Sequence, residues 1–341
     1  MSVYSLYKPL IKPVLFSMDA EEAHAMGISF GKWCQNTPLL AMFSQSVPAR
    51  RTEFMGLSFD HPVGMAAGLD KNGDAIDFFG AMGFSHLELG TVTPRPQPGN
   101  DRPRLFRVVD AEGIINRMGF NNAGVDHLVE NLKKRRYRGK IGVSIGKNED
   151  TPIEKAVDDY LECLNKVYGH CDYITINVSC PNTKDLASLQ EAERLDALLK
   201  ALKRAQGENA SKTGRYVPLA VKIAPDLDFE GLKAVCDCVM QNKADAICCT
   251  NTTTDRDVIY GMEHAQEKGG LSGQPLREKS TQVLSMVSGY VKGRVPLIGI
   301  GGVNGVMSAK EKLSHGAGLV QIFTALVYEG PKIIPEIVRN L

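Results

Sequence analysis

The stretch Val63-Gly64-Met65-Ala66-Ala67-Gly68-Leu69-Asp70-Lys71 decides the fold. A short apolar run ends in glycine and two charges, the form of a buried strand entering a loop. In a doubly wound sheet the first such strand normally carries a GxGxxG fingerprint, and Ala66-Ala67-Gly68-Leu69-Asp70 is not one. Similar runs rich in Val, Ile and Leu follow at 86–90, 141–145, 173–178, 219–223, 246–250, 297–300 and 320–323. With 63–67 they make eight, and helical patterns at 153–168, 189–206, 229–241 and 305–315 separate several of them. Eight strands with helical crossovers predict an α/β protein, a (β/α)8 or TIM barrel. Just before it, 51–54 and 57–60 flank Met55-Gly56 and read as a small hairpin.

Residues 1–45 have a different character. Leu6, Leu10, Ile11, Val14 and Leu15 fall near helical spacing, but Pro9 and Pro13 limit them to short or kinked turns. Asp19 reads as an N-cap with Glu22 as its capping-box partner. Ala23, Met26, Phe30 and Trp33 then repeat every three or four residues until Asn36 and Pro38. Two readings are open for these amphipathic helices: docking on the main domain, or lying in a membrane interface. The expected division is therefore a helical segment over 1–45 and a barrel over 46–341.

Composition narrows the function classes. The 341 residues carry 40 Lys+Arg against 39 Asp+Glu, a formal charge of +1, so no global field draws the chain to nucleic acid. The eight cysteines form no CxxC pair and the histidines complete no zinc pattern, so no metal site is expected. With no secretory signal, a reducing cytosolic compartment is expected, and no apolar run is long enough to span a bilayer.

In a barrel the chemistry lies at the C-terminal ends of the strands. There this sequence places Lys71, Thr91, Ser144, Asn177, Cys180, Asn182, Lys222, Thr250, Asn251, Thr252, Gly301, Gly302 and Thr324, with Asn116 between the second and third strands. An Asn amide both donates and accepts. Asn116, Asn177, Asn182 and Asn251 on one rim suit a small planar ring with alternating N–H and C=O groups, such as a pyrimidine. Lys71 and Lys222 suit a carboxylate and an anionic cofactor edge, and the glycines and Thr324 follow strands whose loops commonly bind phosphate. The combination points to a flavin mononucleotide enzyme.

Five motifs carry a resemblance: Ala66-Ala67-Gly68-Leu69-Asp70-Lys71, Asn116-Arg117-Met118-Gly119-Phe120, Asn177-Val178-Ser179-Cys180-Pro181-Asn182-Thr183, Thr250-Asn251-Thr252-Thr253 and Gly269-Gly270-Leu271-Ser272-Gly273. In order and over essentially the whole chain they resemble the dihydroorotate dehydrogenase family. The N-terminal helices, and Gly90 to Asn100, resemble its quinone-dependent, membrane-associated branch. The resemblance implies FMN-dependent oxidation of dihydroorotate to orotate in pyrimidine biosynthesis. A base takes the C5 proton while hydride leaves C6 for flavin N5.

It also implies site residues. Lys71, Asn116, Arg117, Met118, Gly119, Phe120, Asn177, Asn182, Asn251 and Thr252 would bind substrate. Ala67, Gly68, Leu69, Asp70, Lys71, Thr91, Ser144, Asn177, Lys222, Thr250, Gly273, Gly302, Phe323 and Thr324 would surround FMN, Lys222 stabilising negative charge near flavin N1. His24 and Arg107 match positions that face the quinone, and Cys180 matches the base. The implied protein is a monomer lying peripherally on the cytoplasmic face of the cell membrane through its N-terminal helices. Three residues depart from the branch: Ser144 where Asn is usual, Phe323 for Tyr, and Cys180, the residue of the soluble branch, for Ser. That last departure keeps a soluble enzyme using fumarate or another acceptor as the alternative, with a non-catalytic flavin- or phosphate-binding barrel as the third. The loop 183–188 is expected to act as a lid over Cys180.

Overall fold

A computed structural model describes residues 3–182 and 186–341. Turns at Val3–Leu6 and Tyr7–Ile11 lead into α1 (Lys12–Phe16) and α2 (Ala20–Cys34). Asp19 caps α2, its Oδ1 accepting from the backbone N–H of Glu21 at 2.9 Å and of Glu22 at 3.1 Å. The expected hairpin forms from β1 (Thr52–Phe54) and β2 (Leu57–Phe59), with Phe54 opposite Leu57.

Eight parallel strands close the barrel in the order β3 (Val63–Met65), β4 (His86–Val92), β7 (Lys140–Ile145), β8 (Tyr173–Asn177), β9 (Leu219–Ile223), β10 (Ala246–Cys249), β12 (Leu297–Ile300) and β13 (Ala317–Ile322), which pairs back to β3. Nearly every strand residue is buried, as befits a parallel sheet covered by helices outside and filled by side chains inside. The outer helices are α3 (Ile76–Ala81), α4 (Val125–Lys134), α5 (Ala156–Val167), α6 (Ala192–Thr213), α7 (Phe229–Gln241), α8 (Arg277–Val291), α9 (Val306–Ser314), α10 (Thr324–Glu329) and α11 (Ile333–Asn340). Each of the eight expected strands is present, with ends moved by a few residues. The helix expected over 189–206 starts and ends later, because a 3-10 turn at Leu186–Gln190 occupies its start.

One element has no counterpart in the sequence reading. Strands β5 (Leu105–Val108), β6 (Gly113–Asn116) and β11 (Gly270–Gly273) form an antiparallel sheet over the rim, with Asn116 opposite both Leu105 and Gly270. It joins segments some 155 residues apart, and β11 is a Gly-Leu-Ser-Gly run of low strand propensity.

Candidate active site

A cavity of about 620 Å³ opens at the C-terminal end of the barrel and reaches out between α2 and the barrel wall. Its inner end is polar. Asn177, the last residue of β8, donates to Thr91 Oγ1 at 2.9 Å and accepts from Asn251 at 3.3 Å. Asn182 donates to the Asn116 carbonyl at 2.9 Å. The four asparagines thus stand as two bonded pairs, each amide tethered by its partner with other lone pairs and protons left to face the cavity. Thr252, Thr250, Met118, Gly119 and Phe120 line the same end.

Cys180 lines this end too and is 8% exposed. Lys71 is close enough to feel its charge. Burial pushes the Lys71 ammonium down to about 8, Arg104 adds to that, and Glu21 and Cys180 pull the other way. Lys71, half-buried, is thus a cation in the neighbourhood of the buried Cys180 thiol. The lid expected from Thr183 begins outside the described residues.

Next to the asparagines the wall turns to glycine and one amine. Lys222, on β9, is buried and lines the cavity, and its ammonium donates no hydrogen bond among the described residues, so its charge is left for a ligand. Gly302 follows β12 at φ +69°, where a Cβ would fall 2.4 Å from the Arg277 Cα. A Cβ on Gly273, at φ +89°, would fall 2.3 Å from the Glu112 carbonyl oxygen and 2.8 Å from Thr324 Cγ2. Both positions therefore take only glycine, and through them the loops after β11, β12 and β13 converge on one spot. The Gly302 N–H has no acceptor among the described residues. An uncommitted cation, a free amide and a glycine-lined cradle fit a flavin carrying a phosphate. Ala67, Gly68, Leu69 and Phe323 lie along the same wall, Phe323 within 3.2 Å of where a Gly68 Cβ would stand.

Beyond Phe323 the cavity becomes apolar. Small residues of α2, Ala20, Ala23 and Gly27, share one face with His24 and leave the space open, and Tyr7, Leu15, Phe16 and Phe43 complete the wall. Burial, with the Lys71 charge, pushes His24 down to about 4 against the pull of Glu21, so its imidazole is neutral at ordinary pH. Arg107 donates to the carbonyls of Met18 and Leu15 at 2.8 and 3.0 Å, and its guanidinium stands 4.7 Å from the centre of the Phe16 ring. Ile11, Met26 and Phe30 line the cavity and are exposed, and Leu6, Leu10, Val14, Trp33, Leu39 and Met42 of the same N-terminal segment are exposed large apolar residues too.

Three expected site residues lie outside the cavity lining. Asp70 accepts from the N–H groups of Asp74 and Ala75 at 2.9 and 2.8 Å, which shapes the loop. Arg117 pairs with Glu267 at 2.7 Å and covers the Phe106 ring. Ser144 is fully buried, its hydroxyl 2.8 Å from Thr91 Oγ1. Thr91 thereby links Ser144 to Asn177, which keeps a polar partner where Ser has replaced the usual Asn.

Sequence reasoning missed a buried ion pair behind the site. Glu21, at the start of α2, receives hydrogen bonds from Arg104 and from Arg102, the closest at 2.8 and 2.9 Å. Arg104 also holds the carbonyls of Pro98 and Asn100, and Asn100 donates to the carbonyls of Arg117 and Asn182. Nothing local marks Glu21 for this role; its partners are about 80 residues away.

The family model described as dihydroorotate dehydrogenase matches residues 50–341. The chain is 54% identical over 336 residues to the dihydroorotate dehydrogenase (quinone) of Vibrio cholerae serotype O1, covering 98% of this chain and 100% of that protein. It is 54% identical over 333 residues to the protein of the same name from Aeromonas salmonicida, covering 98% and 99%. Among solved structures, the DHODH of Eimeria tenella in complex with ferulenol superposes with a TM-score of 0.86 at 34% identity, covering 94% of this chain and 90% of that one. The chain belongs to the dihydroorotate dehydrogenase family.

Proposed function

We propose that this chain oxidises dihydroorotate to orotate in pyrimidine biosynthesis, with FMN as cofactor, a membrane quinone as acceptor and Cys180 as the base. The observation that carries the proposal is one continuous cavity, which runs from an exposed apolar rim, past Phe323, to the two asparagine pairs and Cys180. FMN, when bound, supplies the two-electron acceptor that takes the C6 hydrogen with its electron pair and passes the electrons to quinone.

The chain's residues do the rest. Lys71 binds the substrate carboxylate and, by its charge, favours the thiolate of Cys180. The Cys180 sulfur takes the C5 proton, and the C5–H electron pair becomes part of the new C5=C6 bond. Asn116, Asn177, Asn182 and Asn251, each tethered by another asparagine, hold the ring's amide edges and fix which face is presented. Lys222 and the loops at Gly273, Gly302 and Thr324 retain the cofactor. At the outer end, neutral His24 and cationic Arg107 face a quinone carbonyl.

The reading divides the chain into a quinone-access segment over 1–45 and a barrel over 46–341. None of the described helices is long and apolar enough to cross a membrane. The apolar rim instead suits a monomer resting peripherally on the cytoplasmic face of the cell membrane. Purified protein is expected to be yellow with one FMN per chain, and to bleach anaerobically on addition of dihydroorotate with release of orotate. Colourless protein that takes up no FMN, or yellow protein that dihydroorotate leaves unchanged, contradicts the proposal.

A further inference from the structure

Another buried lysine, absent from the cavity lining, lies behind the glycine cradle. Lys312, on α9, is 0% exposed. Its ammonium donates to Ser280 Oγ at 2.5 Å, to Thr281 Oγ1 at 2.8 Å and to the Arg277 carbonyl at 3.4 Å, and it has no carboxylate in hydrogen-bond contact among the described residues. Glu311, the acid whose charge bears on it, is taken by Arg277 at 2.7 Å. Ser280 in turn donates to the Gly301 carbonyl at 2.9 Å. A buried cation bonded only to neutral groups costs the fold free energy unless something supplies the opposite charge. Two hydrogen bonds away, through Ser280, stands the Gly301-Gly302 loop, packed directly on Arg277.

We propose that Lys312 is a positioning residue whose charge is balanced by the phosphate of FMN, acting through Ser280 on the Gly301-Gly302 loop. The proposal rests on the flavin reading above. Its chemistry is specific to a dianionic phosphate: a flavin without that group gains nothing from Lys312.

The empty protein makes this interaction depend on pH. Burial pushes the Lys312 ammonium down to about 7. The charged and titratable groups facing it are Glu311 on its own helix and Cys249 on β10, which pull it up, and Arg277 on α8, which pushes it down. Below neutrality Lys312 already carries the charge the phosphate needs. Above it, the amine is neutral in the empty protein and must take up a proton as FMN binds. Affinity for FMN therefore falls as pH rises beyond about 7, by up to about tenfold per unit if one proton is taken up. Riboflavin affinity should not follow.

The test is titration of flavin-free protein with FMN and with riboflavin, followed by flavin fluorescence across pH 6–9, for wild type, Lys312→Met and Lys312→Gln. The expected result is FMN affinity at neutral pH about tenfold or more lower in both variants, the scale of a charge interaction a few hydrogen bonds away. Riboflavin affinity is expected to be unchanged, and the alkaline fall in FMN affinity to vanish. A variant that weakens both flavins equally, or neither, overturns the proposal, since a packing role does not distinguish them. If the variants do not fold, the wild type alone decides: an FMN-to-riboflavin affinity ratio constant from pH 7 to 9 overturns it. Wild-type protein that binds neither flavin fails the flavin reading itself, and the role of Lys312 with it.

Discussion

At the scale of single residues, Cys180 and Lys71 decide how the proton leaves. A thiol has a reference pKa of about 8.5, much nearer neutrality than a serine hydroxyl, so Cys180 needs less activation. Cys180→Ala is expected to slow reduction of the bound flavin by at least about 100-fold while orotate binding persists, measured by anaerobic stopped flow and by titration. Cys180→Ser should retain part of the rate with its pH profile moved to higher pH. Near-normal reduction in the alanine variant would return Cys180 to a packing role. Lys71 sets a second limb. Its pKa of about 8 means that the carboxylate-binding charge is present below that pH and lost above it. The KM for dihydroorotate should therefore rise beyond about pH 8, and in Lys71→Met it should be high and flat. Lys222→Ala is expected to lose FMN on gel filtration; full occupancy would place the flavin's counter-charge elsewhere. The asparagines, Lys71, Lys222 and Cys180 were legible in sequence because strand ends on a barrel rim are adjacent in space. Asp70, Arg117 and Ser144 fall outside the cavity lining because a motif names neighbours in sequence, while a side chain's direction depends on partners such as Ala75, Glu267 and Thr91.

At the scale of elements, α2 joins two tasks. One face leaves the cavity open through Ala20, Ala23 and Gly27, while Met26 and Phe30 reach both the cavity and the exposed surface and Trp33 is exposed outside it. The spacing of apolar residues was read correctly, but periodicity cannot tell a docking face from an exposed one. Both faces exist, and the exposed one carries the large side chains. Deleting 1–45 is expected to preserve FMN binding and reduction by dihydroorotate while abolishing quinone turnover and the response to lipid or detergent. Unchanged quinone kinetics would refute the access role. Glu21 ties α2 to the loop holding Pro98 and Asn100. Burial alone would raise its carboxyl, but hydrogen bonds and charge from Arg104 and Arg102 outweigh that and hold it below the usual range. Its contribution is thus complete above its unfolded value of about 4.3 and fades as pH falls through the lower folded value. Removing one partner of a buried pair strands the other, at a cost of roughly 3–5 kcal/mol. Glu21→Ala should therefore speed hydrogen exchange in both α2 and residues 98–104, and exchange confined to α2 would show that the two are not coupled.

At the scale of the molecule, the barrel was legible because its eight strands are buried on both faces and read as continuous apolar runs. The β5–β6–β11 sheet was not, since its pairing joins distant segments and its glycine-rich strand carries no pattern. That sheet matters to the account. It carries Asn116 at the inner end and Arg107 at the outer, and so spans the two halves of one cavity. The central claim is that these halves work together, with dihydroorotate oxidised at one and quinone reduced at the other. The direct test is steady-state orotate formation by the purified full-length protein in detergent or lipid, with a quinone and with fumarate as alternative sole acceptors. The account predicts rapid turnover with quinone and none above background with fumarate. Turnover with fumarate that matches or exceeds turnover with quinone would contradict it and make the protein an enzyme of the soluble kind that Cys180 resembles.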